Sequence, residues 1–134
     1  MARVFLISGG ILMALLGLLR GAGGVALLAR GAAADERIHA SGATVLAAGL
    51  TLVVLGLALV GAAVGVLRRN RLAWLAGVLL TLAFVMGGVL NGMALYGKPG
   101  AGGTVANVAA AALIIGCLWL GRGALWGGDV ADRR

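Results

Sequence analysis

Four long runs of this chain are almost free of charge, and that feature leaves few folds open. Residues 4–29 are apolar apart from Arg20, and residues 42–67, 72–96 and 101–121 hold no charged side chain. A helix of about 20 mostly apolar residues crosses a hydrocarbon layer about 30 Å thick. Every run reaches that length. Hydrophobic residues fill 62% of the 134 positions and charged residues 11%, against roughly 45–50% and about 25% in soluble domains. A water-soluble chain this short has no interior large enough for so much apolar surface. Lipid is the solvent that fits.

Backbone hydrogen bonding then selects the conformation. In hydrocarbon every N–H and C=O must pair internally, which leaves helices or a closed barrel. Barrel strands alternate apolar and polar over about ten residues. The run Leu46-Ala47-Ala48-Gly49-Leu50-Thr51-Leu52-Val53-Val54-Leu55 does not alternate. The expected fold is all-α: a polytopic membrane protein forming a single domain, an up-down bundle of four transmembrane helices with short loops. Gly97-Lys98-Pro99-Gly100 reads as the turn before the fourth helix, and residues 122–134 read as a polar, glycine-rich tail.

Arg3, the first apolar run and Ala32-Ala33-Ala34 imitate a secretory signal with a small-residue cleavage motif. The run is too long for a signal core and the motif lies well past Arg20, so the first helix is read as retained.

Orientation follows from Lys and Arg. With the N-terminus inside, the cytoplasmic side holds seven (Arg3, Arg68, Arg69, Arg71, Arg122, Arg133, Arg134) and the outer side four (Arg20, Arg30, Arg37, Lys98). Both termini are expected in the cytoplasm and the chain in a cell (plasma or inner) membrane. The net charge of +7 does not point to nucleic acid, because the basic residues sit in turns and at the C-terminus rather than along an aromatic-studded face. Anionic lipid headgroups are their natural partners. Trp74, Trp119 and Trp126 are expected as anchors at the cytoplasmic interface and Tyr96 at the outer one.

Small residues suggest how the helices meet. Gly42, Gly49, Gly56 and Ala63 recur every seven positions and line one stripe of the second helix. Gly17/Gly21, Gly61/Gly65 and Gly88/Gly92 form GxxxG pairs, which let helix backbones approach in lipid. The stripe marks a close contact, within the bundle or with a partner chain.

Chemistry has few places to reside. No apolar run contains Asp or Glu, and Gly100-Ala101-Gly102-Gly103-Thr104 lacks the lysine of a phosphate loop. Cys117 is a lone cysteine, read as packing, and His39 a lone histidine; no intramolecular disulfide or bis-histidine haem site is available. The connector with Asp35, Glu36, Arg37 and His39 reads as solvated, and no cofactor, metal site or enzymatic constellation is expected. The chain is similar in size to four-helix small multidrug transporters, but those depend on a membrane-embedded glutamate in the first helix that is missing here. It is also similar in size to fluoride channels, whose aromatic and Thr/Ser signature has no match.

What remains is a polar set at similar depth. Arg20 lies in the second half of the first helix. Asn91 and Asn107 fall roughly 7–9 Å inside the outer helix ends at a rise of about 1.5 Å per residue, and Thr44 opens the second helix on the same side. Ionisable residues in a membrane usually face a bundle interior or aqueous cavity. One reading is an outward-facing pocket in which Arg20, Asn91 and Asn107 bind a lipid phosphate or small anion. The other lets Arg20 snorkel to the headgroups while the asparagines tie helices together. The function classes open are an accessory or scaffold subunit acting through helix packing, which the glycine stripe favours; a small transporter or channel, as a homo-oligomer or in a larger membrane complex; and a lipid- or anion-binding protein.

Overall fold

A computed structural model of the chain describes residues 1–98 and 103–126. Four long helices carry it: α1 (Ala2–Arg30), α2 (Gly42–Leu67), α3 (Arg71–Tyr96) and α4 (Thr104–Gly121), followed by one further turn, α5 (Gly123–Trp126). A 3₁₀ turn at Gly31–Ala34 extends α1 into the first connection. All four long helices have the length and apolarity to cross a membrane.

Local chemistry sets the ends. The Ser41 hydroxyl accepts from the Thr44 N–H and caps α2. The Asn70 side chain accepts from the N–H groups of Leu72 and Ala73, so α3 starts at Arg71, one residue before the uncharged run. Such caps satisfy amide groups that have no partner inside the helix. Gly97 closes α3 at φ 67°, a left-handed conformation that costs glycine little. Helix α4 begins at Thr104; the anticipated start at residue 101 and the Pro99-Gly100 turn lie outside the described residues. The anticipated tail differs at its beginning. Gly123–Trp126 is helical and Leu125 is buried, because Ala124-Leu125-Trp126 is an apolar triplet that tucks against α1 and α4.

Each helix packs on its neighbours in the chain, and α4 closes the ring onto α1. The α1–α2 seam is the most extensive. It is antiparallel and made of two small-residue stripes. A Cβ added to Gly56 would lie 2.6 Å from the Gly17 carbonyl oxygen and 2.8 Å from the Gly21 nitrogen. One on Gly24 would lie 2.7 Å from the Gly49 carbonyl oxygen. One on Gly10 would meet Leu67 at 2.9 Å and the Ala63 carbonyl at 3.7 Å. Gly10, Gly17 and Gly24 repeat every seven residues and face Ala63, Gly56 and Gly49 in one constant register. At the start of α2, Gly42 meets nothing within 4 Å. Helices α1 and α4 are also antiparallel, with Gly121 against Leu6 and Gly9 against Leu118.

The main core joins Leu6, Met13, Leu16, Leu59, Val66, Phe84, Ile114 and Leu118. Ile38, Val45, Ala48 and Leu95 form a smaller cluster under the α1–α2 connection. Leu15, Leu57, Leu90 and Leu113 are more than half exposed on the periphery. An apolar periphery on this scale suits hydrocarbon, not water.

The seam makes a testable contrast. Gly56→Ala places a methyl group against backbone that cannot yield, and should destabilise the bundle by about 1–3 kcal/mol, the usual cost of overpacking. Gly61→Ala, where a Cβ meets nothing within 4 Å, should be neutral or slightly stabilising through helix propensity. Thermal unfolding of both variants in detergent, followed by circular dichroism, checks it; equal stabilities would show that the Gly17–Gly56 contact does not hold the seam.

Candidate functional site

The α1–α4 register that sets Leu6 opposite Gly121 also sets Arg20 opposite Asn107. Arg20 Nη2 donates to Asn107 Oδ1. The guanidinium carbon stands 5.5 Å from the centre of the Phe84 ring on α3, a cation–π distance. Asn107 is 5% exposed, and its amide lies against Gly88: a Cβ there would come within 3.0 Å of Asn107 Nδ2. The missing side chain at Gly88 is what admits the carboxamide between α3 and α4.

Asn91 follows Gly88 by one turn on the same face of α3. Arg20, Asn91 and Asn107 all line one cavity of about 460 Å³. Its walls come from α1 (Leu19, Arg20, Gly23, Ala26, Leu27), from Leu52 on α2, and from α3 (Phe84, Gly88, Asn91, Gly92, Leu95, Tyr96). The rim carries Ala34 and Asp35 from the first connection. Two donors of cavity-lining residues, Arg20 Nε and Asn91 Nδ2, are buried and have no hydrogen-bond partner among the described residues. A buried donor left unpaired costs about 1–3 kcal/mol, more when charged.

The rim is tied down. Asp35 accepts from Arg37 Nε at 3.0 Å and Nη2 at 2.8 Å, from the Arg37 backbone N–H at 3.0 Å, and from the Tyr96 hydroxyl at 3.3 Å. Side-chain hydrogen bonds from Arg37, helped by its backbone N–H, bring the Asp35 carboxyl down to about 2, so the rim carboxylate stays ionised at neutral pH. Arg37 also lies 5.8 Å from the Tyr96 ring centre, and the His39 N–H bonds the Leu95 carbonyl at 3.3 Å. The strap is a pinned connector whose carboxylate is already matched by a guanidinium.

Of the other sequence candidates, Gly92 and Tyr96 join the cavity lining and the rest fall elsewhere. Thr44 is turned into the α2 cap, 3.0 Å from the Ser41 hydroxyl. Gly92 is buried at the cavity wall, while Gly65 is filled by Ala73. Trp74, Trp119 and Trp126 gather at the end that carries the N-terminus. Trp74 is 6.1 Å from Trp119 and 5.6 Å from Trp126 between ring centres, with Arg122 over Trp119 at 4.5 Å and Arg71 over Trp126 at 5.6 Å. Trp74 Nε1 donates to the Leu118 carbonyl at 2.9 Å, so this indole ties α3 to α4. Tyr96 lies at the opposite end.

Phe84, Gly23 and the α1 stripe were not singled out by the sequence, and Asp35 was read only as part of a solvated connector. Only the stripe had a signal: Gly10, Gly17 and Gly24 repeat at the period already noted on α2. Among the described residues no group of three His, Cys, Asp or Glu side chains is placed to hold a metal ion. No protein-family model, curated protein or solved structure matches the chain. The chemistry must therefore be read from the cavity itself. Its unpaired groups are donors, so the complementary ligand is rich in acceptors.

A double-mutant cycle tests whether the Arg20–Asn107 pair couples α1 to α4. With Arg20→Met and Asn107→Leu, the coupling should be about 0.6–1.7 kcal/mol, the range for hydrogen bonds between membrane helices. Strict additivity of the two substitutions in unfolding free energy would show that the pair does not join the helices.

Proposed function

We propose that this chain is a four-span integral membrane protein that binds an anionic group in the cavity around Arg20. The observation that carries the reading is the pair of buried, unpartnered donors, Arg20 Nε and Asn91 Nδ2, carried on α1 and α3 by two residues that line the same cavity. A phosphate or carboxylate oxygen accepts from both, and charge-assisted hydrogen bonds of this kind are roughly twice as strong as neutral ones. Asn107 fixes the guanidinium, Phe84 backs it, and Gly88 leaves the room. Arg37 covers the negative rim, so an approaching anion meets a neutralised carboxylate.

The alternative of a packing subunit loses its main support. Gly49, Gly56 and Ala63 meet α1 of the same chain, so that stripe does not call for a partner. Snorkelling also fits poorly, since Arg20 turns toward Asn107 and Phe84 rather than along the helix to its end.

Thermal unfolding in a neutral detergent tests the function. The wild type should be stabilised by inorganic phosphate and by phosphatidic acid. Arg20→Leu, verified as folded by its helical signal, should show no such shift. Asn91→Leu should weaken binding about tenfold, the equivalent of roughly 1.4 kcal/mol. A folded Arg20→Leu protein that keeps the full ligand-dependent shift would end the proposal.

Orientation is proposed from charge, with both termini in the cytoplasm and the cavity rim outside. In a Cys117→Ala background, a cysteine placed at position 98 should be labelled in intact cells by a membrane-impermeant maleimide. Labelling only after the cells are opened would reverse the topology.

A further inference from the structure

Three lining residues of the cavity are also peripheral. Leu19, Gly23 and Ala26 line the cavity, yet Leu19 is 69% exposed and Gly23 and Ala26 are exposed as well. They stand four and three positions apart, so they form one stripe of α1. A Cβ on Gly23 would meet nothing within 4 Å among the described residues. Among the described residues the cavity therefore reaches the periphery along this stripe of α1, the face that meets hydrocarbon in a four-span arrangement.

A free oxyanion has no use for such an opening. The space of about 460 Å³ is far larger than one tetrahedral anion needs, and beside Arg20 and Asn91 the residues Leu19, Leu27, Leu52 and Leu95 make it apolar. Donors inside and an apolar exit at the side match an amphiphile. We infer that the bound anion is the phosphate of a lipid, seated on Arg20 and Asn91, whose hydrocarbon chain leaves the cavity past Leu19, Gly23 and Ala26. This deepens the anion-binding reading and rests on it. The charge match decides the headgroup class, and the lateral opening decides that a chain is attached.

Two plugs separate the parts. Gly23→Leu and Ala26→Phe narrow the exit and leave Arg20, Asn91 and Asn107 unsubstituted; a Cβ at Gly23 meets nothing within 4 Å among the described residues, and Ala26 is exposed. Wild type, both plugs and Arg20→Leu are purified in mild detergent from the same membranes. Retained lipid is measured by native mass spectrometry, and unfolding temperature is measured with and without inorganic phosphate or long-chain lysophosphatidic acid. The wild type should retain a phosphate-bearing lipid and prefer lysophosphatidic acid to phosphate by at least tenfold in half-saturating concentration. The plugs should lose most of the retained lipid and that preference while keeping the phosphate response. Plugs that hold lipid as the wild type does, or a wild type that responds equally to both ligands, would overturn the lipid assignment and leave a free-anion site. A wild type that responds to neither ligand and retains no phosphate-bearing lipid would overturn the anion site itself.

Discussion

The contact on which the rest of this bundle depends is backbone against backbone, Gly17 on α1 against Gly56 on α2. Helices in lipid gain nothing from hiding apolar side chains, because the acyl chains are equally apolar. Dispersion then decides association, and it is large only where many atoms touch at close range. Removing the side chains at Gly17, Gly24, Gly49 and Gly56 gives that range. The seam also fixes the rotation of α1. Arg20 lies three residues after Gly17 and four before Gly24, beside the stripe, so once α2 is docked the guanidinium is directed toward α3 and α4. The position of the charge is a consequence of where the glycines are.

That charge makes the interior unusual. A self-contained core would pair every polar group, and Thr81 does so by donating to the Gly77 carbonyl at 2.7 Å. Asn107 Oδ1 is likewise paired, accepting from Arg20. Arg20 Nε and Asn91 Nδ2 are not, although a leucine at either position would remove the problem. Local rules are broken in this way mainly at functional sites. The expense here falls on donors of two residues that line one cavity, which is why it reads as binding capacity rather than as a packing flaw.

Much of the fold was legible in the sequence because it depends on one-dimensional quantities. The four long apolar helices follow from run length, and the similar level of Arg20, Asn91 and Asn107 along the bundle follows from rise per residue. Legibility failed where rotation about a helix or pairing between helices decides. The stripe on α2 was visible, but its destination was not, since the matching Gly10, Gly17 and Gly24 acquire meaning only in the antiparallel register. Thr44 has the depth of the polar set and still misses the cavity, because its hydroxyl is engaged in the cap of its own helix. Tyr96 was expected to anchor at an interface, and nothing in the sequence signalled that its hydroxyl donates to Asp35 on the cavity rim. Trp74 was read for its ring, yet its N–H joins α3 to α4. Nothing in the order of residues announced that Ala124-Leu125-Trp126 would make a helical turn under α1, because three apolar residues beside glycines carry too little periodicity to read.

Glycine carries two opposite jobs on the same helix. At Gly17 and Gly24 the absent side chain is replaced at once by the backbone of α2, so the helices come closer. At Gly23 nothing moves in, and the usual cost of glycine in a helix, about 1 kcal/mol relative to alanine, is not offset by packing. Gly61 and Gly116 also have open space around them, but neither lines the cavity; Gly23 does, across from the Gly88 and Gly92 side of α3. A larger residue at Gly88 would drive the Asn107 amide away from Arg20, and one at Gly23 would wall the cavity off from the periphery. Small residues on both walls therefore keep open a space that the long side chains around it would otherwise fill. They keep that space beside donors that have no partner among the described residues, and the proposed anion binding rests on that combination.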